Sequence, residues 1–494
     1  MIPLRRFGFL LALAGLLAIQ SGRATASVLA APVVVAVEHP ALPPLFDDIE
    51  KRSFDFFWDT ANPVNGLVPD RYPTPSFSSI AAVGFGLTAY PIGVERGYIT
   101  RAQARQRVLA TVRFFRDAPQ GPQRNGTTGY KGFFYHFLDM RTGLRSHHSE
   151  LSTVDTSLLL AGMLFCQSYF DRNDPGETEI RRAVDAIYAR VDWTWAQPRA
   201  PLIANGWSPE KGFLAWDWRG YDEGMLVYLL ALGSPTHAVG EDAWPAWAAT
   251  YDAHWHNIQG WMQLAFAPLF GHQYSHVWVD FRGIRDAYMR RRDLDYFENS
   301  RRATLAQRAY AIENPLDWRD YGADVWGLTA SDGPKDTLHE YNGHLRAFFS
   351  YSARGSVLQG ARDDGTLAPT AVLGSLPFAP EIVIPAVLEM YRRFGVHIYS
   401  SYGFLDAFNP SFDFPVSLGQ GRRYPGFGWV DTDYLGIDQG PIVAMIENYR
   451  SDLIWRTMRS NPYLRRGLLR AGFSGGWLEK PVPAGAAARS SVAQ

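Results

Sequence analysis

Three strongly apolar helical stretches in this 494-residue chain each follow a short turn that carries carboxylates. The turns occupy residues 150–155, 221–223 and 436–441, and the apolar stretches occupy residues 156–162, 224–233 and 442–449. A helix N-terminus has unpaired N–H groups and a partial positive charge, so it stabilises a nearby acid. If these helices are parallel neighbours, their starts share one rim and their carboxylates surround one cleft. Paired carboxylates in an aromatic-lined cleft are the groups that hydrolysis of a glycosidic bond requires.

Helical periodicity covers most of the chain, whereas strand signals are few. Helices are predicted at residues 45–60, 78–96, 101–117, 152–170, 177–195, 223–232, 243–266, 273–281, 294–312, 379–394, 439–458 and 461–469. Two hairpins, predicted at residues 132–145 and 205–216, each lead into an acidic helix start. The chain repeats a loose unit about every 60–70 residues, in which two helices are followed by a loop with a hairpin or acidic residues. Six such pairs predict an all-α fold, an (α/α)6 barrel (toroid) with short β-hairpins in the loops on the active-site face; an open α-solenoid is the alternative.

The first 26 residues have the pattern of a secretory signal peptide. Arg5 and Arg6 form a basic region, residues 7–19 an apolar region, and residues 24–26 a small-residue cleavage site. We therefore predict cleavage near Ala26 and a periplasmic or secreted mature protein. The apolar run is shorter than the ~20 residues that span a membrane, so no membrane insertion is expected after cleavage.

The mature chain is predicted to form one domain. Residues 27–42 are rich in Ala, Val and Pro and are predicted to be a linker, and residues 43–475 the single catalytic domain. Residues 476–494 are rich in Pro, Ala and Ser without an apolar period, which predicts a disordered tail.

Charge and cysteine usage exclude several classes of protein. The chain has 48 basic and 49 acidic residues, and cleavage after Ala26 removes three arginines, so a nucleic-acid partner is not expected. Cys166 is the only cysteine, which rules out an intrachain disulfide and favours a small buried hydrophobe. His272 and His276 have a zinc-helix spacing but lack the glutamate of the protease motif, and no nucleotide-binding pattern appears. We predict no metal and no organic cofactor. The sequence carries no signal of oligomeric state.

Aromatic residues are abundant, with 16 Trp, 24 Tyr and 30 Phe. Core packing explains most of them. Trp216, Trp218 and Tyr221, however, stand in turn-like segments, where a ring can stack on a sugar face. His147 lies close to Glu150 and is predicted to contact sugar hydroxyls rather than a metal.

A series of motifs resembles the bacterial glucoamylase-like domain. In chain order they are Ser149-Glu-Leu-Ser-Thr-Val-Asp155, Asn205-Gly-Trp207, Trp216-x-Trp218, Gly220-Tyr-Asp-Glu223, Ala231-Leu-Gly-Ser-Pro-Thr236, Leu376-Pro-Phe-Ala-Pro-Glu381, Tyr402-Gly-Phe404, Asp406-Ala-Phe408, Tyr434-Leu-Gly-Ile-Asp-Gln-Gly-Pro441 and Ile446-Glu-Asn-Tyr449. The resemblance covers about residues 44–473. This domain occurs in endo-β-1,2-glucanases of glycoside hydrolase family 144 and in cyclic β-1,2-glucan synthases.

The resemblance implies an (α/α)6 barrel and an inverting glycosidase with no metal and no organic cofactor. It implies that Glu223 protonates the leaving oxygen and that Glu150 is a second functional carboxylate, and Asp406 is the candidate for the base. Apolar and indole neighbours of Glu223 would raise its pKa by desolvation, as a general acid requires. An acid at a helix start is also stabilised by about 0.3–1 kcal/mol without any function.

Structural roles compete with function at the other acidic positions. Asp155 completes a capping box with Ser152, and Asp438 is predicted to cap a helix that begins at Gln439. Glu381 follows a proline at another helix start, and Asp406 could simply form a turn. The predicted substrate-binding residues are Asp155, His147, Trp216, Trp218, Tyr221, Glu381, Asp438 and Gln439.

We therefore predict an exported, endo-acting and inverting hydrolase of β-1,2-glucan, whose partner is a β-glucan oligosaccharide or polysaccharide. The first alternative is a hydrolase or lyase of another polysaccharide on the same barrel. A lyase needs basic groups around a sugar carboxylate, and Arg71, Arg282 and Arg285 are available. The second alternative is a non-catalytic glycan-binding protein.

Overall fold

Helices form most of the regular structure in residues 40–356 and 361–479, the parts of the chain that the computed structural model describes. The described α-helices are α1 Leu45–Thr60, α2 Ile80–Glu95, α3 Arg101–Asp117, α4 Thr153–Tyr169, α5 Pro175–Ala189, α6 Met225–Gly233, α7 Ala243–Trp247, α8 Tyr274–Trp278, α9 Ala287–Arg292, α10 Tyr296–Glu313, α11 Pro369–Leu373, α12 Pro380–Ile398, α13 Gly436–Ser451, α14 Leu453–Met458 and α15 Pro462–Arg470. The chain divides into two units, Met1–Pro40 and Ala41–Gln494, and all of these helices belong to the second. The predicted signal peptide lies outside the described residues.

One set of helices is buried almost completely. Every residue of α6, α8 and α11 is buried, and α2, α4 and α13 are buried except at a few positions. A helix that is apolar on all sides requires protein on all sides. The contacts agree: α2 packs against α4 and α13, α4 also contacts α6 and α8, and α13 contacts α8 and α11.

A second set of helices covers the first and exposes one face to solvent. In α5 the buried residues recur with helical spacing, at Ile180, Ala183, Val184 and Ile187. α1 packs on α13 and α2, α3 on α2 and α5, α5 on α4, α12 on α11, and α15 on α6. Along most of the chain a half-exposed helix therefore alternates with a buried one.

Glycines allow two of the buried helices to approach closely. A Cβ atom on Gly84 of α2 would lie 2.3 Å from the carbonyl oxygen of Leu158 in α4. A Cβ atom on Gly162 of α4 would lie 2.1 Å from the carbonyl oxygen of Gly84. Because real Cβ atoms do not come this close to backbone, the contact between α2 and α4 depends on both glycines.

Short antiparallel strands connect the loops that precede the buried helices. The pairs are Arg71–Tyr72 with Tyr434–Leu435, Ser78–Ser79 with Phe137–Leu138, Gly129–Tyr130 with Phe133–Phe134, Leu151–Ser152 with Gly206–Ser208, Gly206–Ser208 with Gly212–Phe213, Trp255–Ile258 with Trp261–Leu264, Ala330–Ser331 with Ser352–Ala353, Thr337–Tyr341 with His344–Phe348, Tyr399–Ser400 with Gly403–Phe404, Phe408–Asn409 with Gly428–Val430, and Arg422–Tyr424 with Gly428–Val430. Three of these strands run directly into α2, α4 and α13. The pairing therefore draws the starts of separate buried helices toward one end of the helix layer.

Two long helix predictions are wrong in part. Residues 243–266 form α7, a 3-10 turn at Ala248–His254 and a hairpin, because Gln259 and Gly260 both have positive φ angles and form its tight turn. Residues 439–458 are divided by Asp452, whose left-handed conformation ends α13 before α14 begins.

The ordered chain continues past the predicted start of the tail. Gly476–Glu479 forms a 3-10 turn in which Leu478 is buried and the Trp477 indole N–H donates to the Asp280 carbonyl oxygen at 2.8 Å. The rest of the predicted tail lies outside the described residues. Within those residues, no helix has both the length and the apolar character needed to cross a membrane.

Candidate active site

Glu223 stands in a turn just before α6. The Asp222 carboxylate closes this turn by accepting a hydrogen bond from the Gly224 N–H at 2.9 Å. Glu223 Oε2 is buried and has no hydrogen-bond partner in the described part of the chain. The helix begins at Met225, two residues after Glu223, because Asp222 and Gly224 complete the turn first. The Glu223 backbone carbonyl accepts from the Leu226 N–H at 3.2 Å, but its carboxyl group does not cap the helix.

The surroundings of Glu223 favour its protonated form. Burial raises the pKa of Glu223 well above its ordinary value, and the negative charges of Asp222 and Asp155 raise it further. Burial also raises the pKa of Asp222 to about 7, against the hydrogen bond from Gly224. A carboxyl group that keeps its proton at neutral pH can act as a general acid.

Glu150 and Asp155 are bridged by His136, which sequence reasoning missed. His136 Nδ1 lies 2.9 Å from Glu150 Oε1, and Nε2 lies 3.5 Å from Asp155 Oδ2. The His136 ring stacks on Phe137, with ring centroids 3.9 Å apart. Ser152 caps α4 by accepting from the Asp155 N–H at 3.1 Å, as predicted, and its hydroxyl donates to the Asp155 carboxylate.

This bridge stabilises a positive charge on His136 and a negative charge on Glu150. Burial lowers the pKa of His136, but the charge of Asp155 and the hydrogen bond to Glu150 outweigh it and raise that pKa to about 9. Burial likewise opposes ionisation of Glu150, yet the hydrogen bond and charge of His136 lower the pKa of Glu150 below its ordinary value. At neutral pH His136 is therefore a cation between two carboxylates.

Asp406 lies in a second group of acids, from loops distant in sequence. Asp406 Oδ2 accepts a hydrogen bond from the Asp332 N–H at 2.8 Å. Single carboxylate oxygens of Asp332, Asp406 and Asp431 all lie within 4.8 Å of one another. Arg71 Nη1 donates to Asp332 Oδ2 at 2.7 Å and so supplies positive charge beside this group. Asp438, in the first turn of α13, is the fourth acid of the group.

Burial and crowding raise the pKa values of Asp406 and Asp438 in this group. Burial raises the pKa of Asp406 to about 7, with a further contribution from the charge of Asp332. Burial and the charge of Asp406 raise the pKa of Asp438 well above its ordinary value. Asp406 and Asp438 act on each other's pKa, so the two carboxyl groups titrate as a pair.

Tyr274 links the two groups of acids. It is buried on α8, and its pKa is raised by burial and by the charges of Asp438, Glu223 and Asp406. These three carboxyl groups are therefore neighbours of the side chain of Tyr274, the first residue of α8. Acids from three predicted helix starts thus come together, and we call the space that they surround the acid cleft, lined by Glu150, Glu223, Asp406, Asp438 and Tyr274.

Solvent reaches the acid cleft. The side chains of His136 and Glu150 expose 29% and 34% of their surface. Tyr351 exposes 52% of its surface, and the pKa of its hydroxyl is raised by desolvation and by the charges of Asp438, Asp406, Asp70 and Asp332. Side chains combine deep placement with accessible surface when they line a cleft.

The predicted aromatic and histidine contacts lie in the loops that precede α4 and α6. Trp216 exposes 78% of its surface in the loop that leads to α6. The Trp218 indole N–H donates to Thr153 Oγ1 at 2.8 Å at the start of α4. His147 is exposed, and its ring meets the edge of Phe77, with centroids 5.8 Å apart.

Two predicted substrate-binding residues are placed in the core instead. Tyr221 is 4% exposed and stacks on Tyr296, with ring centroids 5.9 Å apart, so its face is not open to a sugar. Gln439 is 1% exposed and uses both ends of its amide in the fold, accepting from Ser53 Oγ at 2.8 Å and donating to the Phe404 carbonyl at 2.9 Å. The helix also begins at Gly436 rather than Gln439, which places Asp438 inside the first turn.

Glu381 does not join the acid cleft either. It pairs with Arg301 at the start of α12, with an N–O distance of 2.5 Å. The start of α11 is the end that meets α13, where Thr370 Oγ1 donates to the Asp438 carbonyl at 2.9 Å. α12 follows the other end of α11, so the ion pair of Glu381 is a structural contact between outer helices.

His136, Asp332, Asp431, Arg71 and Tyr274 complete the site and were not predicted as members. Asp431 offered a usable signal, since Asp431-Thr-Asp433 forms an acidic turn just before Tyr434–Leu435 and α13. The other four lie far in sequence from the residues they contact, or in a hairpin without recognisable spacing.

The fold and site together define a class: a helix-rich domain whose buried helices begin around a carboxylate-lined cleft. Residues 215–462 match a family model described as "Glycoamylase: Putative glucoamylase". The chain belongs to this glucoamylase-like family.

Similar proteins support this assignment over a larger part of the chain. A putative glucoamylase from Bacteroides uniformis is 31% identical, with 89% of this chain and 100% of that one covered and a TM-score of 0.73. An endo-β-1,2-glucanase from Chitinophaga pinensis, solved with sophorotriose and glucose, is 29% identical, with 88% and 100% covered and a TM-score of 0.74. An exo-β-1,2-glucooligosaccharide sophorohydrolase from Parabacteroides distasonis is 28% identical over 86% of this chain, which spans 57% of the length of that relative.

Proposed function

We propose that this protein is a glycoside hydrolase that cleaves β-1,2-glucan by an endo-acting, inverting mechanism. The observation that carries the proposal is the contrast between two carboxyl groups in one cleft. Burial holds the pKa of Glu223 well above its ordinary value, whereas Asp406 has a pKa of about 7 and accepts a hydrogen bond from the Asp332 N–H. Each of the two has one buried carboxyl oxygen without a partner in the described residues, and these oxygens are available to a substrate and to a water molecule. The β-1,2-glucan activities in the names of its relatives support the choice of substrate.

In this mechanism Glu223 gives its proton to the glycosidic oxygen as the bond to the anomeric carbon breaks. Asp406 accepts a proton from a water molecule that attacks the same carbon from the opposite face. Inversion needs room for that water, so the two carboxyl groups of an inverting enzyme stand about 6.5–9.5 Å apart. Proton exchange with solvent then restores both residues.

Asp406 is a better candidate than Glu150 for the base. Glu150 is ion-paired with His136, and this pairing lowers the pKa of Glu150 and neutralises its charge. A base must give up such a partner before it accepts a proton from water. We propose that Glu150 holds the His136 cation in place and that His136 in turn holds Asp155.

We propose further that the two helix layers close into an (α/α)6 barrel. The alternation of half-exposed and buried helices along the chain supports six pairs. The contact of α2 with α13 supports closure, because an open solenoid would leave the first and last buried helices apart. The short hairpins then belong to loops at the end that carries the acids.

The arrangement of basic groups argues against the lyase alternative. Arg282 is ion-paired with Asp280 and Asp452, and Arg285 with Asp293. Only Arg71 lies in the acid cleft, where Asp332 already pairs with it. Appearance of an unsaturated product absorbing in the ultraviolet would nevertheless decide for a lyase.

The decisive experiment compares the wild type with Glu223→Gln on linear β-1,2-glucan, with Glu241→Gln as a control at an exposed glutamate. We expect the first variant to lose about 10²–10⁴-fold in kcat and the control to match the wild type. Wild-type rates in Glu223→Gln would remove it as the acid. Nuclear magnetic resonance of the first products should show the α-anomer if the enzyme inverts, and a ladder of oligosaccharides rather than one disaccharide if it is endo-acting.

Export also belongs to the proposal, and it rests on the N-terminal pattern of residues 1–26. N-terminal sequencing of the protein from periplasmic and medium fractions tests it. A mature chain beginning near residue 27 is expected, and an intact Met1 in the cytosolic fraction alone would contradict it.

A further inference from the structure

Tyr351 is placed in the acid cleft by the register of a short strand pair. Ala330–Ser331 pairs antiparallel with Ser352–Ala353, with Ser331 opposite Ser352. Continued by one residue, this register sets Tyr351 opposite Asp332. Residues directly opposite in an antiparallel pair project to the same face. Since Asp332 faces Arg71 and Asp406, the Tyr351 ring is directed to the same side.

A single buried guanidinium holds both backbone segments in this position. Arg354 is 0% exposed and forms two hydrogen bonds with Asp364, at 2.8 and 3.0 Å. Its Nη1 donates to the carbonyl oxygens of Ser331 and Asp332, at 2.7 and 3.2 Å. Its Nη2 donates to the carbonyl oxygens of Phe349 and Ser350, at 3.1 and 3.0 Å. The segments that carry Asp332 and Tyr351 are therefore held by the same side chain.

A second anchor lies on the exposed side of the same loop. Asp336 accepts two hydrogen bonds from Ser350, from its N–H at 3.1 Å and from its hydroxyl at 2.8 Å. The residue just before Tyr351 is thus held by Arg354 from within and by Asp336 from outside. Tyr351 itself remains 52% exposed.

An ordered backbone that presents a large, open ring beside catalytic acids has a direct use in a sugar-binding cleft. We propose that Tyr351 binds a glucose unit of the substrate on the Asp406 side of the acid cleft, by stacking its ring on the sugar, and that Asp336 positions it. This inference rests on the proposed function and adds a substrate-binding residue to it. A rigid aromatic ring offers large contact area at a small entropic cost.

The first test measures kcat and KM on β-1,2-glucan for Tyr351→Ala, Tyr351→Phe and a control, Tyr391→Ala. Tyr391 is also a partly exposed tyrosine, but it lies on the outer helix α12. We expect KM to rise about tenfold for Tyr351→Ala, with much smaller changes for Tyr351→Phe and for the control. Wild-type KM for Tyr351→Ala, in an enzyme that does cleave the glucan, would overturn the inference and leave the proposed function intact.

A binding measurement separates this inference from the catalytic proposal. Calorimetry with β-1,2-glucan oligosaccharides compares Glu223→Gln with the double variant Glu223→Gln/Tyr351→Ala. The same tenfold loss of affinity is expected even if the wild type proves inactive, in which case only the catalytic proposal fails. Equal affinities would remove Tyr351 from the binding site.

The positioning role of Asp336 is tested by a double-mutant cycle. Asp336→Ala should raise KM without changing kcat, and Asp336→Asn, which keeps one acceptor, should partly restore KM. If Asp336 acts through Tyr351, the effects of Asp336→Ala and Tyr351→Ala on KM are not additive. Full additivity would show that Asp336 does not position Tyr351.

Discussion

The two carboxyl groups assigned to catalysis have raised pKa values for different reasons. At Glu223 burial is the main cause, with smaller contributions from the charges of Asp222 and Asp155. Asp406 stands in a crowd, where burial and the charge of Asp332 act against the hydrogen bonds that it accepts and the charge of Arg71. A buried acid without a neighbouring positive charge keeps its proton, whereas an acid beside hydrogen-bond donors and a guanidinium can be ionised despite burial. Both pKa values are raised, yet Glu223 is suited to donate a proton and Asp406 to accept one.

The difference in environment assigns different roles to Glu223 and Asp406, which their residue types alone would not. Asp438 is buried as deeply as Asp406, and the charge of Asp406 contributes to its raised pKa. Asp438 and Asp406 thus act on each other electrostatically, and direct contact of Asp438 with substrate stays a prediction. Asp155 acts on Glu223 in a similar way, because its charge raises the pKa of Glu223. The same charge stabilises the His136 cation.

The largest expected effect separates the two carboxyl groups by the step that each serves. Both Glu223→Gln and Asp406→Asn should lose about 10²–10⁴-fold in kcat on β-1,2-glucan. A β-1,2-linked substrate with a nitrophenyl leaving group needs no protonation, so it should restore much of the rate to Glu223→Gln and little to Asp406→Asn. Steady-state kinetics on both substrates provides the check.

Rescue of both variants to the same extent would contradict this division of roles. Rescue of Asp406→Asn alone would exchange them. Glu241→Gln serves again as the control, because Glu241 lies on the surface beside Arg470.

A smaller effect is expected from removing a charge from the crowded group. Asp332→Asn removes the negative charge that raises the pKa of Asp406, so that pKa should fall from about 7. Because the base must be ionised, the acidic limb of the kcat/KM profile should move to lower pH. The ratio of variant to wild-type rate on that limb rises about tenfold for each unit by which the pKa falls. An unchanged acidic limb, or one that moves to higher pH, would mean that Asp406 is not the base.

Much of the fold was predictable because local signals agreed with the tertiary structure. α1 and α3 begin and end at the predicted residues, and Thr100 forms a complete capping box with Gln103 at the start of α3. The region of residues 243–266 failed because an aromatic-rich helical period continues across a tight turn at Gln259 and Gly260. Helical periodicity does not indicate that turn, although Gly260 in the sequence was a possible turn signal.

The site was predictable only where a local pattern carried it. Glu223 and Asp155 belong to helix starts, so the sequence marked both. The bond between Asp332 and Asp406 joins residues 74 positions apart, and the ion pair of Arg71 with Asp332 spans 261 positions. Gln439 was misplaced because the pairing of Tyr434–Leu435 with Arg71–Tyr72 lets α13 begin at Gly436. Contacts of this kind arise from the packing of distant loops and leave no spacing to recognise.

The smallest expected effect concerns the bridge beside Glu223, where a cation joins the acids. His136 has a pKa of about 9 in the folded protein, above its ordinary value near 6.5. Its stabilisation is therefore complete below pH 6.5 and is lost as the pH rises through 9. Allowing for solvent at this partly exposed pair, we expect His136→Asn to lower the free energy of unfolding by about 1–2 kcal/mol at pH 6 and by much less at pH 10. Denaturant unfolding at both pH values measures it, with His256→Asn on the exposed strand Trp255–Ile258 as the control. An equal loss at both pH values would show that His136 contributes packing rather than charge, and would leave the lowered pKa of Glu150 without its cause.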